Sequence, residues 1–74
     1  MNSIGKNIQR LRADRGLSQN DLAELVGSSQ GQIGNIESGR SNGSIGLLNR
    51  IADVFGIKLS DLITDPEPAE AVHA

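Results

Sequence analysis

The sequence predicts an all-α fold of five short helices, and three observations predict it. Apolar residues recur at helical spacing in successive segments. Gly16, Gly27, Gly39 and Gly56 follow these segments, and glycine takes the left-handed conformation that ends a helix at no side-chain cost. No run of alternating β-branched and polar residues is long enough for a strand. Ile, Leu, Val and Phe make up 20 of 74 residues, above the level of a disordered chain, so a small core is expected. With no cysteine, that core must close by packing alone.

The first helix, about Ile4 to Arg15, places Ile4, Ile8 and Leu11 in one stripe. The second starts at Ser18, whose hydroxyl can accept the Asp21 N–H while the Asp21 carboxylate reaches back. Leu17 and Leu22 are spaced for a hydrophobic staple, and Leu22, Leu25 and Val26 are expected to continue the buried face. The third starts at Ser29, with Gln32 in the reciprocal capping position, and turns Ile33 and Ile36 inward before Gly39. Ser44 precedes the fourth, Ile45 to Phe55, where Leu48, Ile51, Ala52 and Phe55 share a face. Leu47 and Val54 form a second stripe, suited to a dimer surface or to a wider core face. The fifth is a short turn, Asp61 to Thr64, with Ser60 as its expected cap and Leu62 and Ile63 as its apolar residues. Pro66 and Pro68 end any helix, so the domain is expected at residues 1–64 and an acidic tail or linker start at 65–74.

Composition excludes several functions. Phe55 is the only aromatic residue, against the stacking platforms of single-strand and most RNA binders. No secretory signal or membrane span is recognisable, so a cytoplasmic location is expected. His73 lies in the tail, away from any partner for a triad or metal site, and Asp61 and Asp65 need no cation to explain them. No phosphate-binding glycine loop is present. The expectation is no enzyme, no catalytic residue, no metal and no cofactor. The net charge of −2 argues against a nucleic-acid partner, but it averages two unlike parts. Residues 1–60 carry +2 and residues 61–74 carry −4.

The segment from Gln19 to Gly39 has the most demanding spacing. Two short helices joined by Gly27-Ser28-Ser29 need a small residue where they cross, which Ala23 supplies, and a left-handed bend, which Gly27 supplies. The outward face of the third helix is then Gln30, Gly31, Gln32, Gly34 and Asn35. A Gln or Asn amide offers donor and acceptor together, the pairing needed for N6 and N7 of adenine in the major groove. Arg10, Arg12, Arg40 and Asn42, with the N–H groups opening the second helix beside Gln19, can hold phosphates. Arg15 and Arg50 read as surface residues.

From Ile4 to Ile63 the chain resembles the lambda-repressor-like helix-turn-helix domains of phage repressors, Cro proteins and XRE-type regulators. The resemblance rests on Arg10-Leu11-Arg12, Gly16-Leu17-Ser18-Gln19, Asp21-Leu22-Ala23, Gly27, Ser29, Ile33, Ile36-Glu37-Ser38-Gly39-Arg40, Asn42, Leu48, Ile51-Ala52 and Leu59-Ser60-Asp61-Leu62. It implies a sequence-specific double-stranded DNA-binding regulator, a repressor by preference, holding a palindromic operator as a homodimer. It further implies base reading by Gln30, Gln32 and Asn35 and backbone contacts from Gln19, Ser29, Arg12, Arg40 and Asn42. Gln19 is expected to buttress Gln30, Arg12 to pair with a structural Glu37, and Ile57, Leu59, Leu62 and Ile63 to form the dimer interface. Gly31 and Gly34 depart from the family by leaving two positions of the reading helix bare, which shifts the expected readout toward DNA shape. Two alternatives are an antitoxin-like or antirepressor-type protein-interaction module and the DNA-binding part of a longer phage repressor.

Overall fold

The computed structural model describes residues 3–64. Within them lie α1 (Ser3–Asp14), α2 (Gln19–Val26), α3 (Gln30–Ser38), α4 (Ile45–Phe55) and α5 (Leu59–Ile63), with no strand. The expected tail, with Asp65 and His73, lies outside the described residues.

Local chemistry sets most helix boundaries. The Ser18 hydroxyl accepts the Asp21 N–H at 3.0 Å and the Asp21 carboxylate accepts the Ser18 N–H at 2.9 Å. These bonds from Ser18 hold the Asp21 carboxyl below its usual range. Ser29 and Ser44 cap α3 and α4 by accepting from Gln32 N and Leu47 N, each at 3.1 Å. A Ser cap of this kind is worth about 1 kcal/mol over Ala. Gly27, at φ 69°, closes α2 in a Schellman turn, with Gly27 N donating to Glu24 O and Ser28 N to Ala23 O.

Three expectations need correction. Gln32 does not complete a capping box, because its side-chain carbonyl accepts the Ser28 hydroxyl instead of the Ser29 N–H. Ser60 caps nothing: α5 opens at Leu59, two residues before Asp61, with Lys58 in the capping position and no side-chain bond to the first turn. Leu59 packs half-buried against the core three residues before the fully buried Leu62, and this pair accompanies the earlier start. Leu25 is 59% exposed rather than part of the buried face. Leu22, Ala23 and Val26 centre that face, and at 100° per residue Leu25 points well to one side of it.

The core is continuous: α1 rests on α3 and α5, α2 on α3 and α4, and α4 on α5. Ile8, Leu22, Ile33, Ile36, Ile51 and Leu62 are fully enclosed at its centre. Each such side chain contributes about 2 kcal/mol of burial. Leu47 is buried and Val54 half-buried against the cluster, so the second stripe of α4 widens the core face. Ala23 is likewise buried, at the α2 contact.

Gly5 permits a close approach of α1 to α3. A Cβ there would meet Glu37 O at 2.5 Å and Ile36 O at 2.6 Å, so α1 lies directly on the backbone at the end of α3. Asn7 ties the other flank of α1. It is 2% exposed, and its Nδ2 donates to Leu62 O at 2.7 Å and Thr64 O at 3.0 Å, across more than fifty residues of chain.

Candidate nucleic-acid interface

Helix α3 is amphipathic in an unusual way. Ile33, Ile36 and Glu37 are buried, while Gln30, Gly31, Gln32 and Asn35 are exposed and Gly34 is half-buried. The exposed side is therefore uncharged and rich in amides. Interior glycine costs a helix about 1 kcal/mol relative to Ala. The space at Gly31 does not require it, since a Cβ there would meet nothing within 4 Å. At Gly34 a Cβ would touch the Gln19 amide at an ordinary 3.5 Å.

A hydrogen-bonded chain runs from the interior to this face. Arg12 donates Nε to Glu37 Oε2 at 2.7 Å and Nη2 to Glu37 Oε1 at 3.0 Å, a two-point ion pair. Arg12 Nη1 donates to Leu17 O at 2.8 Å, so the guanidinium also ties the loop that opens α2. The Glu37 bond raises the pKa of Arg12 above its usual value, against the opposing effect of burial. Gln19 Nε2 donates to Glu37 Oε1 at 3.0 Å, and Gln30 Nε2 donates to Gln19 Oε1 at 2.9 Å. The chain thus joins α1, α3 and α2 and ends on the exposed amide of Gln30.

The remaining expected contact residues are differently placed. Ser29 caps α3, and Gln32 is braced through Ser28. Arg40 and Asn42 are exposed in the loop after α3, beyond Gly39. Asn35 is exposed, and its carbonyl accepts from the backbone of Arg40 and Ser41 and from the Ser38 hydroxyl, which binds this loop to the helix. Arg12 spends much of its donor capacity inward and is only 19% exposed, so it braces the site more than it presents a charge. Lys6 and Arg10 are exposed on α1.

Two arginines read as plain surface have structural partners. Arg50 Nε donates to Val26 O at 2.9 Å, and Arg15 Nη2 donates to Phe55 O at 3.0 Å while its guanidinium lies 4.9 Å from the Phe55 ring centroid. Each places a cation on the carbonyl end of a helix, where the helix dipole favours it.

Of the residues expected at a dimer interface, Leu62 is wholly inside the core, and Ile57 and Leu59 are half-buried against it. Ile63 is 44% exposed. Leu62 is therefore a core residue with no exposed surface of its own. Asn7 is the residue that sequence reasoning missed. Its signal was present: it lies three residues after Ile4 and four before Leu11, on their face of the helix.

No group of three or more His, Cys, Asp or Glu suited to a metal ion occurs among the described residues. No helix among them is long and apolar enough to cross a membrane.

Known proteins resemble this chain in sequence and in fold. A sequence model for a family described as helix-turn-helix matches residues 8–62. The HTH-type transcriptional regulator PuuR of Escherichia coli is 35% identical over 63 residues, covering 85% of this chain and 34% of PuuR. The immunity repressor protein of Bacillus phage phi105 is 33% identical over 61 residues, covering 82% of this chain and 42% of the repressor. The chain thus spans about a third of the length of PuuR. Among solved structures, the N-terminal DNA binding domain of SinR from Bacillus subtilis superposes with a TM-score of 0.79 at 26% identity, covering 88% of this chain and 96% of that domain.

Proposed function

The chain belongs to the XRE-type helix-turn-helix family of transcriptional regulators, and from that premise we propose that residues 1–64 form a domain that binds double-stranded DNA sequence-specifically. The observation that carries this reading is the hydrogen-bonded chain Arg12–Glu37–Gln19–Gln30, which leads from the buried Glu37 carboxylate to the amide on the exposed face of α3 and holds that amide in place. In this reading α3 lies in the major groove with Gln30, Gln32 and Asn35 toward the base edges. Gln19, the N–H groups at the start of α2, Ser29, Arg40 and Asn42 hold the backbone on either side. Arg12 acts from beneath.

We further propose a homodimer that represses from a palindromic operator. Two copies of α3 about 34 Å apart enter successive major grooves. The basic excess of residues 1–60 is only +2, so one subunit alone binds weakly and the second supplies the needed gain. The exposed Ile63, with Ile57 and Leu59 beside it, is the surface offered for pairing.

Selection of bound duplexes from a random library tests this directly. The expected result is a palindromic consensus whose half-sites are one helical turn apart. With four phosphates held per subunit, log K against log[salt] should fall with a slope of roughly −7 for the dimer. Replacing Gln30 and Asn35 by Ala should abolish the consensus. Absence of any enriched duplex would overturn the reading.

A further inference from the structure

We infer that Glu37 is a positioning residue for sequence readout: it sets the hydrogen-bonding polarity of the Gln30 amide and so the class of base that α3 selects. This inference rests on the DNA-reading role proposed above. A primary amide has a carbonyl edge that accepts and an amino edge that donates, and rotation by half a turn exchanges them. An exposed glutamine standing alone offers either edge. Gln30 does not stand alone.

The constraint starts at Glu37, whose side chain is 1% exposed and held by Arg12 at both carboxylate oxygens. A carboxylate paired in this way only accepts hydrogen bonds. Gln19 must therefore turn Nε2 toward it, as it does at 3.0 Å. Oε1 of Gln19 then faces Gln30, which can answer only with Nε2, at 2.9 Å. Turning Gln19 over would set its Oε1 against Glu37 Oε1, two acceptors in contact with little water to separate them. The polarity imposed in the interior thus passes through two amides to the surface.

The consequence lies at the far end. With one Nε2 proton given to Gln19, Gln30 keeps Oε1 as its free acceptor and one further Nε2 proton to donate. A leading acceptor matches a base with an amino group in the major groove, which is adenine or cytosine. The adjacent N–H then answers N7 of adenine and leaves cytosine second. Guanine O6 and thymine O4 would meet the carbonyl acceptor to acceptor. The reversed polarity, with the amino group leading, would invert this order.

The test is duplex selection with the full 74-residue chain and two single variants. Glu37→Gln substitutes an amide that can donate or accept toward Gln19, which removes the constraint and keeps the shape. Gln19→Met keeps length and packing but cuts both hydrogen bonds. The readout is the ratio of affinities for operators that differ only at the base pair Gln30 touches, located by its loss in Gln30→Ala. A ratio cancels any uniform loss from weaker phosphate contacts or lower stability. The wild type should prefer adenine there by roughly 10- to 100-fold over guanine or thymine, the range of one bidentate contact. Both variants should bring that ratio to within about threefold of unity while keeping preferences at the positions read by Gln32 and Asn35. If Glu37→Gln fails to fold, as thermal unfolding will tell, the double variant Arg12→Met/Glu37→Met, which removes both members of the ion pair together and leaves the Gln19–Gln30 bond possible, decides in its place. An unchanged ratio in the folded variants overturns the inference and leaves DNA recognition intact. If the wild type enriches no duplex, the DNA-binding reading falls and the inference falls with it.

Discussion

Asn7 and Glu37 are the two buried polar residues among the described ones, and they are satisfied in different ways, Asn7 chiefly by backbone and Glu37 by side chains. Asn7 donates Nδ2 to the backbone carbonyls of Leu62 and Thr64, which holds the end of α5, and its Oδ1 accepts only a long bond of 3.5 Å from Arg10 Nη2 on its own helix. Glu37 bonds only to side chains, Arg12 and Gln19, and through Gln19 its influence reaches the surface at Gln30. A polar group that satisfies backbone fixes where a segment lies. One that satisfies other side chains can also fix which way they point. The same small core therefore contains a fastener and an orienting device, and the two can be separated by experiment.

The sharpest way to break both at once is at Gly5, where α1 meets the backbone of Ile36 and Glu37. Gly5→Ala would push a methyl group into carbonyls at 2.5 and 2.6 Å, which no side-chain rotation relieves. The expected loss is about 3 kcal/mol or more, read from urea unfolding. A loss below about 1 kcal/mol would show that α1 shifts freely, and the positions of both Asn7 and Arg12 would then need another cause.

Next in size is Asn7→Leu, expected to cost about 2 kcal/mol by leaving two carbonyls at the end of α5 without a partner. Its value lies in the contrast with Glu37. Asn7→Leu should lower the melting temperature while leaving the base preference at Gln30 unchanged, whereas Glu37→Gln should change that preference. A shifted preference in Asn7→Leu would erase the distinction between fastener and orienting device.

A smaller effect, of opposite sign, is expected at Gly31. Helical backbone and open space allow Gly31→Ala to stabilise by about 1 kcal/mol, since α3 loses an interior glycine and gains no clash. Amide hydrogen exchange across α3 should slow. If DNA binding nevertheless weakens, the bare position serves close approach of the helix backbone to DNA. If binding is unchanged, the direct contacts lie with the amide side chains alone.

The smallest effect belongs to the capping box of α2, which opens the helix carrying Gln19. Because the folded pKa of Asp21 is held down by Ser18, its contribution is fully present above the unfolded value and is lost as pH falls through the folded one. The chain should therefore lose a little stability below about pH 4. Asp21→Asn should show less of that loss, as measured by thermal melts between pH 5 and 3.

Much of this molecule was legible from residue order because short-range chemistry wrote it. Ser18, Ser29 and Ser44 start helices, and Gly16, Gly27, Gly39 and Gly56 end segments at positive φ, through bonds that span six residues or fewer. The amide face of α3 followed from the placement of Ile33 and Ile36, and the expected pairing of Arg12 with Glu37 and of Gln30 with Gln19 followed from family resemblance. Leu25 was misread because it lies three residues from Leu22, a spacing that alone does not locate the centre of a buried face. The start of α5 departs from expectation because Ser60 has the chemistry of a cap, while Leu59 packs on the core beside Leu62 and the helix opens two residues earlier.

By itself, then, the sequence determined an all-α chain, the turn between α2 and α3, and the chemistry of the exposed side of α3, all consequences of local periodicity and capping. Tertiary structure decided what depends on distant neighbours. It laid Gly5 against the carbonyls of Ile36 and Glu37, enclosed Asn7 against the end of α5 and buried Leu47 while exposing Leu25. It also set the direction of donation from Arg12 through Glu37 and Gln19 to Gln30. The reason is physical. An amide or carboxylate carries its capacity to bond in its chemistry, but which edge it turns is settled only by the groups that folding brings beside it.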